Sequence, residues 1–380
     1  MHEFGGPEVL RYESVPSPAP GANQVLIEVR AVSVNRTLDC VVRAGRYRIK
    51  PTFPHVLGTD PAGIVSAVGD GVSNVRVGDR VSTTSIVACG QCAACQALDP
   101  AHSRGTPLPN QGGRGSDCSA PNMLGVSIWG AYAEYVCLPS RNVTPVQADV
   151  SLAEASVISR HYSAAFHFVD GLAELQPGEW VLVMGAAGAL GSALVQVAKL
   201  GAATVIAAAG TEERVAACVA NGADFGVNYR AQDLAAEVLR ITSGRGVDVV
   251  MENIGDPVLW KGAMNSLARN GRLVTGGSHG GGIVEIDVNR LYGYHLRIIG
   301  GTSGPREYLD RAWKAAGAGQ LHPVIGTVLP LSEAAEAHRI AEAGEVIGKV
   351  MLAPARRGLK KPAPSHHRFA SGSQLIRGRV

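Results

Sequence analysis

No run of the sequence reaches the ~20 consecutive apolar residues that a membrane-spanning helix needs, so a membrane span is not expected. The first residues, Met1-His2-Glu3-Phe4-Gly5-Gly6, lack the basic stretch and apolar core of a secretory leader, and a cytoplasmic setting is the expectation. Cysteine is sparse. In a reducing compartment its seven copies read as metal ligands or buried thiols rather than disulfides. Asp and Glu are absent from residues 355–380, which carry seven Lys and Arg; the rest of the chain is then mildly acidic at −4, although the whole is +3. That pattern argues against a nucleic-acid partner for the body and makes the tail a solvated, disordered extension. Nucleic-acid or membrane-surface contact and an unrelated appended sequence are the tail's alternatives. What remains, 46% hydrophobic and 18% charged over 380 residues, is the composition of an ordinary globular chain of two domains.

The richest local signal is Val181-Leu182-Val183-Met184 followed by Gly185, Gly188 and Gly191 and then the apolar helical run Leu194, Val195, Val197, Ala198. A buried strand feeding a glycine turn that opens a helix lets backbone N–H groups approach a pyrophosphate closely. Gly185, Gly188, Ala189, Leu190 and Gly191 are therefore candidate cofactor contacts; the alternative is a turn in which the glycines only pack. Before about residue 150 the chain reads as β-rich, with alternating strands at 23–34, 63–69 and 79–81. After Ser151, a helix N-cap with Glu154 in its first turn, strands and helices alternate. Six strands, beginning near 180, 204, 225, 247, 272 and 297, predict a doubly wound parallel sheet in an α/β fold. Helices are expected at 192–200, 211–221, 233–242, 258–268, 306–318 and 332–342, with a last strand at 348–352.

Several stretches together resemble the medium-chain dehydrogenase/reductase superfamily, in its quinone oxidoreductase-like branch. They are Phe4-Gly5-Gly6-Pro7-Glu8-Val9-Leu10, Val56-Leu57-Gly58-Thr59-Asp60-Pro61-Ala62-Gly63, Val77-Gly78-Asp79-Arg80-Val81, Gly130-Ala131-Tyr132-Ala133-Glu134-Tyr135-Val136, the glycine turn, and Gly348-Lys349-Val350. The resemblance implies a GroES-like β-barrel catalytic domain over 1–157 with a Cys-rich lobe at 89–118. It implies a six-stranded Rossmann domain over 158–298, a return to the first domain over 299–354, and a cleft between the two. A strand that family members carry before Phe-Gly-Gly-Pro is shortened or missing. Zinc-type relatives hold a catalytic metal with Cys, His and Cys or an acid; the corresponding positions here are Asn35 (or Arg36), Thr59 and Ser159. Neutral Asn, Thr and Ser do not replace a thiolate and an imidazole, so the catalytic zinc is expected to be lost. An unconventional site using His55, Asp60 or His161 is the alternative. Cys89, Cys92, Cys95 and Cys118 have spacing that suits one structural zinc per chain, with 22 residues inserted before Cys118. The alternative is free thiols on a loop.

The second strand of the parallel sheet ends at Ala209, where an NAD-preferring fold has an acid on the ribose. Thr211 and Arg214 follow and suit a 2′-phosphate; the resemblance adds Tyr229. NADPH is the expected cofactor. Asn253, Gly277 and Ser278 follow later strands, where the nicotinamide belongs. Without a Lewis acid, the expected acceptors are quinones and α,β-unsaturated carbonyls, which spread the incoming charge themselves. Tyr47, Arg160, His161 and Tyr162 are candidate hydrogen-bond donors to the acceptor oxygen, and Asn35 faces the nicotinamide by resemblance; Asp39 reads as structural. The expected function is NADPH-dependent reduction of a small-molecule quinone or enone by a homodimer. The alternatives are an alcohol or carbonyl dehydrogenase and a nucleotide-binding protein without turnover.

Overall fold

A computed structural model describes residues 1–93, 95, 118–302 and 304–355. The basic tail from Arg356 onward and the insertion at 96–117 lie outside the described residues.

Two sheets organise the chain. The first contains β1 (Gln24–Ser33), β2 (Pro61–Val68), β3 (Arg80–Thr83), β6 (Tyr135–Pro139), β7 (Val143–Pro145), β14 (Ile325–Pro330) and β15 (Lys349–Ala353). Two short strands, β4 (Ile86–Val87) and β5 (Asn122–Met123), pair with each other. β1 is the hub, pairing antiparallel with β2, β6 and β15. Its alternation puts Val25, Ile27 and Val29 into a core shared with Val65, Val81, Val136, Leu138 and Leu352. The chain leaves β1 through Asn35 into a short helix, α1 (Asp39–Arg43). The pairing of β15 with β1 brings the end of the chain back onto its beginning.

The second sheet is built of β8 (Trp180–Met184), β9 (Thr204–Ala209), β10 (Phe225–Asn228), β11 (Val247–Glu252), β12 (Leu267–Thr275) and β13 (Arg297–Gly300). It is parallel throughout, in the order β10-β9-β8-β11-β12-β13. Helices cover both faces, which is why β8 is apolar at every interior position. Val181 and Val183 pack with Ala193, Leu194 and Val197 of α2 (Ala189–Leu200). The next helix, α3 (Glu212–Ala220), follows β9. Leu182 and Met184 pack on the other side with Val238 of α4 (Leu234–Ile241) and with Trp260 and Ala263 of α5 (Pro257–Asn265). The helix expected at 258–268 stops at Asn265, and β12 begins at Leu267. There Leu267 is drawn beside Val247 in the sheet, and burial in the parallel ladder outweighs the helical periodicity.

A junction helix joins the two sheets. It opens at Leu152 with a reciprocal capping box between Ser151 and Glu154. It then passes through a π-turn at Ile158–Tyr162, a regular stretch at Ser163–Phe166 and a second π-turn at His167–Leu172. The far end lies against the carboxyl edge of the parallel sheet: Cβ atoms on Gly276 and Gly301 would strike Phe168 and Leu172.

Candidate functional site

The glycine turn is shaped by backbone needs that differ along it. Gly185 sits at φ +59, and Asn253 Nδ2 donates to Met184 O at 2.8 Å, tying the turn to the end of β11. Gly191 permits close packing, because a Cβ there would lie 2.2 Å from Gly185 O and 2.7 Å from Ala186 Cα. Gly188 differs: its Cβ would meet only Gly185 O, at 3.2 Å, and otherwise open space. It is also the N-cap of α2 with no side chain capping it, so the first N–H groups of a twelve-residue helix face that space. This is a cradle suited to the pyrophosphate of a dinucleotide. Asn253, Gly277 and Ser278 are brought to the same edge: a Cβ on Gly277 would lie 2.1 Å from Asn253 O, and Ser278 abuts Gly255.

At the end of β9 the structure redistributes the expected residues. Thr211 caps α3 by accepting from Arg214 N at 3.3 Å. The Arg214 guanidinium is turned away and donates to Gly344 O at 2.6 Å. The cation beside the β9 turn is instead Arg230: its Nε and the Tyr229 hydroxyl each lie 3.2 Å from where a Cβ on Gly210 would be. The signal for Arg230 was present in the strand order. β10 neighbours β9, with Asn228 opposite Ala209, so the turn after Asn228 must lie beside the turn after Ala209.

On the barrel side, Asn35 is buried at the centre of a polar network. Its Nδ2 donates to Thr59 Oγ1 at 3.1 Å, Asp60 Oδ2 at 3.2 Å and Asp39 Oδ2 at 3.3 Å. Its Oδ1 accepts from Lys349 Nζ at 2.6 Å, and the same ammonium donates to Val34 O. Burial, then the Asp60 charge, pushes the Asp39 carboxyl up to about 6. Burial also pulls the Lys349 ammonium down to about 8, against the pull of Asp60. Beyond Asp39 the donors and acceptors are fixed in direction. Arg43 Nη1 can only donate, so His338 Nδ1 accepts it at 3.0 Å. His338 Nε2–H therefore donates to Tyr132 Oη at 3.2 Å, and Tyr132 donates to Asp39 Oδ2 at 3.2 Å. Burial, helped by Arg43, holds His338 down to about 3, so it is neutral. Lys349, Tyr132 and His338 were not among the residues singled out from the sequence; Lys349 lies 314 residues from the Asn35 it holds.

The expected donors separate. Tyr47 is half-buried against the cluster of Leu38, Val42, Leu57 and Val126, which Tyr132 also packs against, and makes no hydrogen bond to the Asn35 network. His161 lies on the first π-turn, its Nε2 buried and without a partner among the described residues. Burial, then Lys349 and Arg160, holds it well below the ordinary imidazole range, so it is neutral and not a cationic acid. Ser159 and Arg160, on the same turn, line a narrow cleft of about 20 Å³ together with Thr59, Asp60, Thr84 and Ser85.

A cysteine cluster stands apart from this cleft. The sulfurs of Cys89, Cys92, Cys95 and Cys118 all lie within 4.8 Å of one another, with contacts of 3.4 Å (Cys92–Cys95) and 3.9 Å (Cys89–Cys95, Cys92–Cys118). Sulfurs on one tetrahedral ion with ~2.3 Å bonds stand ~3.8 Å apart, so the set fits a four-thiolate metal centre. Backbone N–H groups already point at the sulfurs, from Gln91 and Cys92 to Cys89 and from Cys89 to Cys118. Among the described residues no other group of three His, Cys, Asp or Glu side chains gathers its ligand atoms in this way. No helix among them is long and apolar enough to cross a membrane.

Comparison with known proteins agrees with both sheets. Residues 21–148 match the family described as alcohol dehydrogenase GroES-like domain, and residues 189–317 match that described as zinc-binding dehydrogenase. The chain is 32% identical over 358 residues to an NAD-dependent alcohol dehydrogenase of Sulfolobus acidocaldarius, covering 93% of this chain and 98% of that one. It is 30% identical over 360 residues to a human quinone oxidoreductase, covering 93% and 96%. A solved structure of Escherichia coli quinone oxidoreductase complexed with NADPH superposes with a TM-score of 0.75 at 26% identity, covering 93% and 98%.

Proposed function

Because this chain belongs to the medium-chain dehydrogenase/reductase superfamily and is one of its oxidoreductases, we propose that it passes a hydride from NADPH to a quinone or an α,β-unsaturated carbonyl at a site without a metal. The observation that carries this reading is the state of Asn35. Its amide is fully engaged by Lys349, Thr59, Asp60 and Asp39, and the facing positions hold Thr59 and Ser159. That donor set offers no thiolate or imidazole to a Lewis acid. Acceptors that delocalise the incoming electron pair fit such a site.

The cradle at Gly188 would seat the pyrophosphate, with Gly185, Ala189, Leu190 and Gly191 completing the turn. Asn253, Gly277 and Ser278 would flank the nicotinamide. Tyr229 and Arg230 beside Gly210 favour a 2′-phosphate, with Thr211 holding the helix start. Arg230→Ala should raise the KM for NADPH roughly 10- to 100-fold and leave that for NADH unchanged, as fits the loss of a charge-assisted hydrogen bond. Arg214→Ala should stay within about 3-fold of wild type, since that guanidinium serves Gly344 and not the phosphate. Steady-state kinetics with both cofactors checks the pair. A homodimer is part of the proposal: Ile283, Val288 and Tyr292 stand exposed on the segment leading into the open edge strand β13. Tyr47 keeps a place only as a wall residue, and His161 as a neutral neighbour of Lys349.

The second reading, an alcohol dehydrogenase, is favoured by the name of the Sulfolobus relative. One sample separates them. NADPH oxidation is followed by absorbance with a quinone, an enone and a simple aldehyde, and zinc content is measured alongside. Turnover of quinone or enone with about one zinc per chain, held by the four cysteines, supports the proposal. Aldehyde or alcohol turnover with about two zincs per chain overturns it.

A further inference from the structure

Arg160 occupies an unusual position. It sits on the π-turn Ile158–Tyr162, within a junction helix that has regular stretches on either side of that turn. Single π-turns commonly mark functional sites, because the extra residue re-aims the side chains of one turn. This turn lies where the two halves of the molecule meet. Just before it, Ser156 Oγ donates to Asp60 O at 2.6 Å on the barrel side. At its end, Tyr162 donates to Gln196 of α2, the helix that the glycine turn opens. The re-aimed pair Ser159 and Arg160 face into the cleft.

The cleft is polar, with the Asp60 carboxylate and several hydroxyls in its lining. Thr59, Thr84, Ser85 and Ser159 contribute hydroxyls. The Arg160 side chain makes no hydrogen bond or ion pair among the described residues. By contrast Arg43, Arg272 and Arg311 each hold a carboxylate. An arginine kept half-buried at an inter-domain cleft, with its five donors uncommitted, is organised for an oxygen that is not part of the protein. Asp60 also lines the cleft but makes no ion pair with Arg160: its Oδ2 accepts from Ser33 and Asn35, and its Oδ1 is buried without a hydrogen-bond partner among the described residues. The carboxyl edge of the parallel sheet, where the cofactor belongs in this topology, is covered by the same junction helix.

We propose that the Arg160 guanidinium is the electrophile of this enzyme: it receives the negative charge that hydride addition places on the acceptor oxygen. The proposal rests on the hydride-transfer reading above. In the step, the C–H bond of the reduced nicotinamide breaks and its electron pair forms a new C–H bond at the β-carbon of the enone. The C=C pair shifts onto the carbonyl to give an enolate, whose oxygen Arg160 holds. Water then returns one proton to the α-carbon. NADPH is oxidised to NADP⁺ and the enone is reduced to the saturated ketone, with one proton consumed. The Thr59 and Thr84 hydroxyls, which accept from Asn35 and Asn142 and keep their own protons to donate, complete the donor set. A fixed cation of this kind needs no reorganisation as the charge develops.

The test compares wild type with Arg160→Ala and Arg160→Lys, using 2-cyclohexenone and a benzoquinone as neutral acceptors and an enone bearing a carboxylate as a third. NADPH binding is read separately by fluorescence and folding by thermal midpoint. The expected result is a kcat loss of roughly 10²- to 10³-fold in Arg160→Ala with the neutral acceptors, as for removal of one oxyanion donor. NADPH affinity and thermal midpoint should be unchanged, Arg160→Lys should recover part of the loss, and added ethylguanidinium should rescue the alanine variant. Neutral-acceptor kcat within about 3-fold of wild type in Arg160→Ala would overturn the proposal. A rise in KM confined to the carboxylate-bearing enone would also overturn it, in favour of substrate-anion recognition. Absence of turnover in the wild type despite NADPH binding would overturn the hydride-transfer reading itself, a result the wild-type rows reveal before any variant is read.

Discussion

Lys349→Met is expected to destabilise the fold by roughly 3–5 kcal/mol, the usual consequence of removing one partner from a buried charged set. The thermal midpoint should fall on the order of 10 °C. The reason lies in what the ammonium holds: it donates to Asn35 Oδ1, and Asn35 in turn bridges the Asp39 and Asp60 carboxylates. Each carboxylate also carries a buried oxygen, Oδ1, without a hydrogen-bond partner among the described residues. Methionine fills a similar volume but leaves two buried negative charges facing each other. The pH dependence gives the expectation a sign. Asp39 has a folded-state pKa of about 6, above its ordinary value, so the native state holds this proton more tightly than the unfolded chain does. Its contribution to stability is complete below the unfolded-state pKa and is lost as pH rises through about 6. Without Lys349 the carboxyl is pushed further up. The variant's deficit should therefore be largest at neutral pH and shrink as pH is lowered toward ~5. Denaturant melts of both proteins across that range check this, and a deficit independent of pH would mean that Lys349 acts through packing alone. Adding Asp60→Asn to Lys349→Met should recover part of the loss, because one of the two stranded charges is gone.

The second large effect separates two glycines that look equivalent in the sequence. Gly191→Val should cost about 3 kcal/mol, because its Cβ would run into the backbone at Gly185 and Ala186, which has no room to give. The start of α2 would shift, and turnover should fall by at least about 100-fold with the cofactor misplaced. Gly188→Val meets only one carbonyl oxygen, at 3.2 Å, and the backbone there is extended at φ −78. Its stability should stay within about 1 kcal/mol of wild type. Its NADPH affinity should nevertheless fall steeply, since the new side chain fills the space proposed for the pyrophosphate. Calorimetric melts of the cofactor-free proteins together with NADPH titrations distinguish the two outcomes. Equal NADPH affinity in Gly188→Val and wild type would remove the cradle from the proposed site.

Local patterns were legible without coordinates because local physics sets them. The alternation of Val25, Ile27 and Val29, the continuous apolar run of β8, the Ser151–Glu154 box and the glycine turn each depend on residues within one or two turns of each other. Errors arose where a distant contact competed with a local preference. Residues 266–268 continue a helical pattern, yet β12 takes Leu267 because Val247 offers a buried ladder position. Arg214 follows the second strand as a phosphate-binding cation would, yet Gly344, 130 residues later, accepts from its guanidinium, while Arg230, after the neighbouring strand, lies beside Gly210.

The sequence by itself determined the parallel α/β half, the glycine turn at 185–191 and the close spacing of Cys89, Cys92 and Cys95, each a matter of residue types and short spacings; that Asn35, Thr59 and Ser159 stand where zinc-type relatives carry ligands was implied by the family resemblance. Only the tertiary structure decided what replaces those ligands: Lys349 beside Asn35, the one-way hydrogen-bond chain from Arg43 through His338 and Tyr132 to Asp39, and the uncommitted Arg160 in the cleft. These depend on which side chains the return of β15 to β1 and the π-turn of the junction helix bring within about 3 Å of one another, the range over which a hydrogen bond forms. Strand pairing across hundreds of residues sets that distance, and no short-range pattern in the chain encodes it.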